Sequence, residues 1–267
     1  MQPLSKLLES YSAKFPASEL PGDPHRWMLE QEAQSYNEQA GAPDGYECRE
    51  CGNKGMVAVI RDNGVVIVPC KCANTRETLR RAKNSGLSHL LSAYTFKAFR
   101  ADTDWRRNAL DMAKRYADNP QGWLYIGGQV GSGKTHLCTA VAGALLKKGM
   151  SVRYMLWRDE IAALKAGMMG EGESYMHQLD VLKTVDVLYI DDLYKGKISE
   201  TDMSIAFELV NARYNARKPT IFSCEWFISE LVKTDAAVGS RIAQMARGNT
   251  LEIGRDPAKC YRFEGVL

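Results

Sequence analysis

Eight residues, Gly128-Gln-Val-Gly131-Ser132-Gly133-Lys134-Thr135, have the types and spacing to hold a phosphate chain. A triphosphate needs many N–H donors close by, and glycines let the backbone curl near enough to supply them. The apolar run Trp123–Ile126 comes before the loop, and Leu137, Ala140, Val141, Ala144 and Leu145 follow it at helical spacing. Strand, glycine loop and helix in that order are the context this nucleotide-binding motif requires. The helix beginning near Lys134 points its positive dipole end at the phosphates. Lys134 adds charge at the β/γ-phosphates, and the Thr135 hydroxyl ligates Mg²⁺. His136 is counted with the same nucleotide-binding set. Downstream, Val185-Asp186-Val-Leu-Tyr-Ile190 is an apolar strand, Asp186 apart, that delivers Asp191 and Asp192 at its C-terminal end. Open parallel sheets bind ligands at that edge. Asp191 is expected to hold Mg²⁺ and Asp192 to polarise the attacking water.

A second chemical set reads Cys48-Arg-Glu-Cys51, then Cys70-Lys-Cys72. Two tight cysteine turns can place four thiolates around one tetrahedral ion, and Zn²⁺ is the default for such ligands. Four sulfur ligands leave no open position, so the expected role is structural. Between the pairs, Val57, Val59 and Val65–Val68 supply strand character, and Asp62-Asn63-Gly64 supplies a hairpin turn.

The elements that must position these groups follow from periodicity. Leu4, Leu7, Leu8, Tyr11 and Phe15 share one face of a helix that Pro16 ends. A polar stretch over 21–42 reads either as a solvated arm or as a docking segment that completes its core on a partner. Residues 1–47 therefore form an N-terminal arm, 48–75 the zinc unit and 76–93 a basic linker helix (Arg76, Arg80, Arg81, Lys83). The nucleotide-binding domain spans 94–267. Within it, helices are expected over 105–117, 159–166 and 174–183, and strands over 151–156 and 218–223. Met203, Ala206, Phe207, Val210 and Tyr214 mark a further helix. Alternating strands and helices around the glycine loop imply a three-layer α/β fold with a mostly parallel sheet.

Composition bounds the class. Hydrophobic content of 45% and charged content of 25% are those of a soluble globular protein. The net charge of +3 neither demands nor discourages a nucleic-acid partner. No signal peptide or membrane-length apolar run is seen, and seven cysteines with four at metal spacing favour a reducing cytoplasm.

Taken together, the cysteine unit, Tyr94-Thr-Phe96, the glycine loop, Asp191-Asp192-Leu193 and Lys218-Pro-Thr220 resemble the DnaC/DnaI-type replicative-helicase loaders, in their Gram-positive and phage branch. These are AAA+ ATPases, so the resemblance implies a five-stranded AAA+ core behind a small four-cysteine zinc-binding domain. It implies ATP, Mg²⁺ and Zn²⁺ as cofactors, with a hexameric replicative helicase, single-stranded DNA and further copies of the chain as partners. Gly239-Ser240-Arg241-Ile242 is similar to the segment carrying the arginine finger, so Arg241 is expected to reach a neighbouring subunit's γ-phosphate. Where the family often has a sensor asparagine this chain has Glu225, and either Ser223 or Glu225 contacts the nucleotide. Arg262 stands in a late Tyr-Arg pair as the second sensor. Arg158 and Lys165, beside Trp157, read either as DNA contacts or as ordinary surface and core residues. The alternatives are an IstB-type transposition helper acting on duplex DNA and a non-hydrolysing adaptor.

Overall fold

The computed structural model describes residues 23–42, 46–84, 87–169 and 173–263. The helix expected over Leu4–Phe15 lies outside them. The chain divides into two compact units between Arg76 and Glu77. Among the described residues no helix is long and apolar enough to cross a membrane.

In the first unit, helix α1 (Pro24–Glu38) starts where Pro24 presets the backbone and the Asp23 carboxylate accepts from the N–H groups of His25 and Arg26. Strands β1 (Met56–Arg61) and β2 (Gly64–Pro69) pair antiparallel. Their turn uses left-handed Asp62 (φ 47°) and Asn63 (φ 61°), the geometry a two-residue hairpin needs. The polar helix α1 docks on this hairpin through hydrogen bonds more than apolar burial. The Asn37 amide donates to the Ala58 carbonyl at 3.0 Å and accepts from the Ala58 N–H at 2.9 Å, as a neighbouring strand would. The Lys54 ammonium caps the other end of the contact, donating to the Tyr36 carbonyl at 2.6 Å. A cation there also suits the negative end of the helix dipole.

Helix α2 (Ala73–Asn84) spans the division in the chain, and α3 (Leu87–Ala93) and α4 (Asp104–Asp118) belong to the second unit. Strand β3 (Trp123–Gly128) is followed by α5 (Lys134–Lys147), β4 (Val152–Leu156), α6 (Trp157–Met169), α7 (Glu173–Thr184) and β5 (Val187–Leu193). Then come α8 (Glu200–Asn215), β6 (Thr220–Cys224), α9 (Ile228–Thr234), α10 (Ala236–Met245) and β7 (Thr250–Ile253). The sheet order is β4-β5-β6-β3-β7, with every neighbouring pair parallel. Strand alternation splits the core in two. Trp123 and Tyr125 of β3 face α6 to α10, whereas Leu124 and Ile126 face α4 and α5. The three layers anticipated from the sequence are these two helix layers and the sheet between them.

Three details differ from the periodicity. The strand over 151–156, whose apolar residues read as a buried strand, is half-exposed at Arg153, Tyr154 and Leu156, because β4 is an edge strand paired only with β5. Helix α6 starts at Trp157, two residues early, which turns the indole into the core. Arg213 on α8 is fully buried and bridges segments distant in sequence. Its guanidinium donates to the Thr220 hydroxyl (2.8 Å) and to the carbonyls of Leu182 (3.0 Å), Lys183 (3.2 Å), Val185 (3.0 Å), Asp186 (3.2 Å) and Pro219 (2.6 Å). Burial lowers its pKa to about 10, so it stays charged at neutral pH. It satisfies the carbonyls where α7 hands over to β5 and where β6 begins, setting the start of both strands that lead to the site.

Candidate functional site

The sheet's C-terminal edge is where the chemistry gathers. Strand β3 runs into the loop, whose Gly128, Gly131 and Gly133 have φ of 101°, 72° and 90°. Gly131 is needed twice over, since a Cβ there would also stand 2.5 Å from the Cys260 sulfur. Gly133 is the N-cap of α5 and brings no side chain to cap it, which leaves the helix N–H groups to an anion. Ser132 is buried and its hydroxyl donates to the Gln129 carbonyl at 2.8 Å, so its side chain braces the loop. What Ser132 can offer a ligand is its backbone. The Lys134 ammonium donates to the carbonyls of Gly128 (2.9 Å) and Gln129 (2.7 Å), which holds it inside the loop. Burial pushes its pKa down, and Asp192 opposes that shift.

Asp191 is the centre of the arrangement, only 3% exposed. Its Oδ1 accepts from the hydroxyls of Thr135 (3.1 Å), Tyr189 (2.8 Å) and Ser223, and its Oδ2 from Tyr154 at 3.0 Å. The two residues that would hold Mg²⁺ are thus already in contact. Asp192 faces the cavity instead, with φ 54° and its N–H donated to the Ser223 hydroxyl at 2.8 Å. Burial, and then the neighbouring Asp191 charge, raise its pKa above the ordinary carboxylate range.

A cavity of about 450 Å³ opens in front of these groups. Its floor is Gly131, Gly133, Lys134, Thr135 and His136, and one wall is Asp192, Lys195 and Glu225. Tyr94, Arg100, Tyr261 and Arg262 line the remainder. The His136 Nε2 lies 2.9 Å from the Thr95 carbonyl, which can only accept, so Nε2 carries the proton. Its ring stacks on Tyr94 (centroids 4.7 Å apart) and meets the edge of Phe99, and burial lowers its pKa, keeping it neutral. The two candidate sensors separate. Ser223 is wholly buried behind the acidic pair, whereas Glu225 lines the cavity in an ion pair with Lys195. Arg262 lines it too, with methylenes beside Gly131, and the Tyr261 N–H donates to the Gly131 carbonyl at 2.9 Å. Tyr94 and Tyr261 stand in stretches that carry the family resemblance, whereas the wall residue Lys195 belongs to no motif that the sequence reading picked out.

Arg241 stands apart from the cavity on α10. It donates to the Asn211 side chain (3.1 Å) and the Ala237 carbonyl (2.8 Å), and lies over the rings of Phe207 (5.0 Å) and Tyr214 (5.5 Å). Of the two readings left open for this helix, Trp157 follows the one that makes it a core residue. The indole is 3% exposed and packs edge-on against Tyr194, so no base can stack on it. Lys165 is engaged with Asp202 at 2.5 Å, while Arg158 is exposed.

In the first unit the sulfur atoms of Cys48, Cys51, Cys70 and Cys72 all lie within 4.8 Å of one another. The closest pairs, Cys51–Cys72 at 3.5 Å and Cys48–Cys70 at 3.8 Å, are far too long for disulfides. They suit the edge of a tetrahedron with Zn–S bonds of about 2.3 Å, which is about 3.8 Å. The Gly55 N–H and the Arg76 Nε–H donate to Cys51 (3.2 Å) and Cys72 (3.4 Å), contacts that favour thiolates. The four cysteines are compatible with zinc binding.

The chain matches the protein family described as "IstB-like ATP binding protein" over residues 71–235. It is 31% identical over 238 residues to the phage-like element PBSX protein XkdC of Bacillus subtilis (strain 168), covering 83% of this chain and 88% of that protein. It is 28% identical over 176 residues to the replicative helicase loader DnaC of Escherichia coli (strain K12), covering 64% of this chain and 71% of that one. The fold is that of a crystal structure of the DnaC helicase loader, with a TM-score of 0.54 at 22% identity over 62% of this chain and 98% of that one.

One consequence of the site's electrostatics is testable without a ligand. Asp192 binds its proton more tightly folded than unfolded, where its pKa is about 3.9. Its ionisation therefore costs stability as pH rises above that value. Without nucleotide or Mg²⁺, Asp192→Asn should melt higher than the parent at pH 7, and the difference should close as pH falls toward about 4. Thermal melts across that range check it, and a lower melting point for the variant at pH 7 contradicts it.

Proposed function

Because this chain belongs to the IstB-like ATP-binding family, we propose that it is an ATP-driven loader of a hexameric replicative helicase onto single-stranded DNA. The observation that carries the reading is the Thr135–Asp191 contact at the mouth of the glycine loop. ATP binds with its phosphates on the N-terminus of α5 and Lys134, and with its base toward Tyr94 and His136. Thr135 and Asp191 would hold Mg²⁺, which would supply neutralisation of phosphate charge, and Asp192 would polarise the attacking water. Two relatives support the wider role: one is named a replicative helicase loader, and the other comes from a phage-like element.

Arg241 lies outside its own chain's cavity, which suits a residue that completes a neighbour's. In this reading ATP sits between copies of the chain, and Arg241 supplies the finger that accelerates hydrolysis by about 10³–10⁵ in other NTPases. Hydrolysis is slow until the assembly forms. Lys134→Ala should abolish ATP binding, whereas Arg241→Ala should spare binding and lose the turnover that single-stranded DNA and helicase stimulate. Undiminished turnover in Arg241→Ala sinks the shared site. The IstB-like family description keeps the IstB-type transposition helper as the second reading. Stimulation by duplex DNA, with none by helicase and single strands, would select that role, and no turnover under any condition would select a non-hydrolysing adaptor.

Zn²⁺ binds Cys48, Cys51, Cys70 and Cys72 and holds a unit whose apolar core is little more than those cysteines with Tyr46 and Val57. This unit and the N-terminal arm contact the helicase. Metal analysis of the purified chain should find zinc, and chelation should expose the hairpin 56–69 to hydrogen exchange. A metal-free protein with the same hairpin protection contradicts the assignment.

A further inference from the structure

We infer that Lys195 reads the terminal phosphate of the bound nucleotide, taking it in exchange for Glu225. The inference rests on the ATP-site reading above and adds to it the group that separates triphosphate from diphosphate.

Among the described residues, the cations lining the cavity are Arg100, Lys134, Lys195 and Arg262, and they are not equivalent. Arg100 is paired with Asp102 at 2.9 Å and lies 5.2 Å over the Tyr261 ring. Arg262 runs beside Gly131, over the glycine loop. Lys134 is held within that loop by two carbonyls. Lys195 comes from the turn after β5, just past the acidic pair Asp191–Asp192 and level with Glu225 at the end of β6. That is the edge at which Mg²⁺ and the far end of a triphosphate converge.

The backbone around Lys195 is pinned. The Asp192 N–H is held by the Ser223 hydroxyl at 2.8 Å, and the Lys195 N–H donates to the Asp192 carbonyl at 2.9 Å. The buried Tyr194 hydroxyl donates to Asp235 at 2.6 Å. Asp192, Tyr194 and Gly196 have φ of 54°, 59° and 95°, so the turn takes a shape that only its neighbours enforce. The Lys195 side chain, by contrast, is 41% exposed, and Glu225 is 30% exposed. A long ammonium arm on a fixed base can change acceptor without moving the loop.

Glu225 explains why an exchange is needed. A bare carboxylate on the phosphate wall repels an incoming triphosphate, and Lys195 neutralises it. A γ-phosphate carries more negative charge and more acceptor oxygens than a carboxylate, so it out-competes Glu225 for the ammonium. A diphosphate presents nothing at that position, and the Lys195–Glu225 pair remains closed. The pair thereby favours ATP over ADP, and it frees the Glu225 carboxylate only when the triphosphate is present.

The test is titration of the full chain, with Mg²⁺, by a non-hydrolysable ATP analogue and by ADP. Lys195→Ala should weaken the analogue about tenfold or more, the loss of one charge-assisted contact, and change ADP by less than about twofold. Glu225→Gln removes the competing charge and should tighten the analogue. Ligand-free melts establish that the variants fold, and Lys195→Gln replaces Lys195→Ala if the latter does not. Equal weakening of both nucleotides, unchanged binding of both, or looser analogue binding in Glu225→Gln overturns the inference. Failure of the parent chain to take up either nucleotide overturns the underlying ATP-site reading instead.

Discussion

One buried carboxylate organises the C-terminal edge of the sheet. Asp191 collects hydroxyls from Tyr154 on β4, Tyr189 on β5, Ser223 on β6 and Thr135 on α5. Removing an ion from water costs several kcal/mol even after relaxation, and hydrogen bonds to charge return about 1.5–3 kcal/mol each. Four such donors offset the burial and fix where the carboxylate points. They also tie three adjacent strands to the start of the glycine-loop helix, so the site and the sheet share one set of contacts.

Around that centre the charges are arranged in opposition. Asp192 and Glu225 line the same cavity as Lys134, Lys195 and Arg262, so charges of both signs lie close together and offset one another. The protein holds the cations in position beforehand, and a triphosphate needs to compete for them instead of assembling them. The Tyr261–Arg262 turn bonds to the loop through Gly131 and to the Arg100 carbonyl through the Tyr261 hydroxyl. It closes the cavity with residues far along the chain from the loop they serve.

Much of this was readable in the residues, for reasons that are local. The glycine loop, the apolar strand ending in Asp191-Asp192, the Asp62-Asn63 turn and the cysteine pairs depend on neighbours within a few positions. Burial on both faces of the sheet made the start of β3 and of β5 continuous apolar runs. What escaped depends on contacts across long separations. Nothing local marks Arg213, whose partners come from the end of α7 and the approach to β6. Trp157 was left open between a place beside DNA contacts and a place in the core, and the helix start at Trp157 turns it against Tyr194. Ser223 and Glu225 were indistinguishable two residues apart, until the fold buried the first and left the second at the cavity rim.

The most direct measurement of the central claim compares nucleotide affinity with Mg²⁺ and with a chelator in the parent chain and in Asp191→Asn. If the Thr135–Asp191 pair holds the ion, Mg²⁺ tightens binding to the parent and has no effect on the variant. An undiminished Mg²⁺ effect in a folded Asp191→Asn protein would place the ion elsewhere and contradict the account.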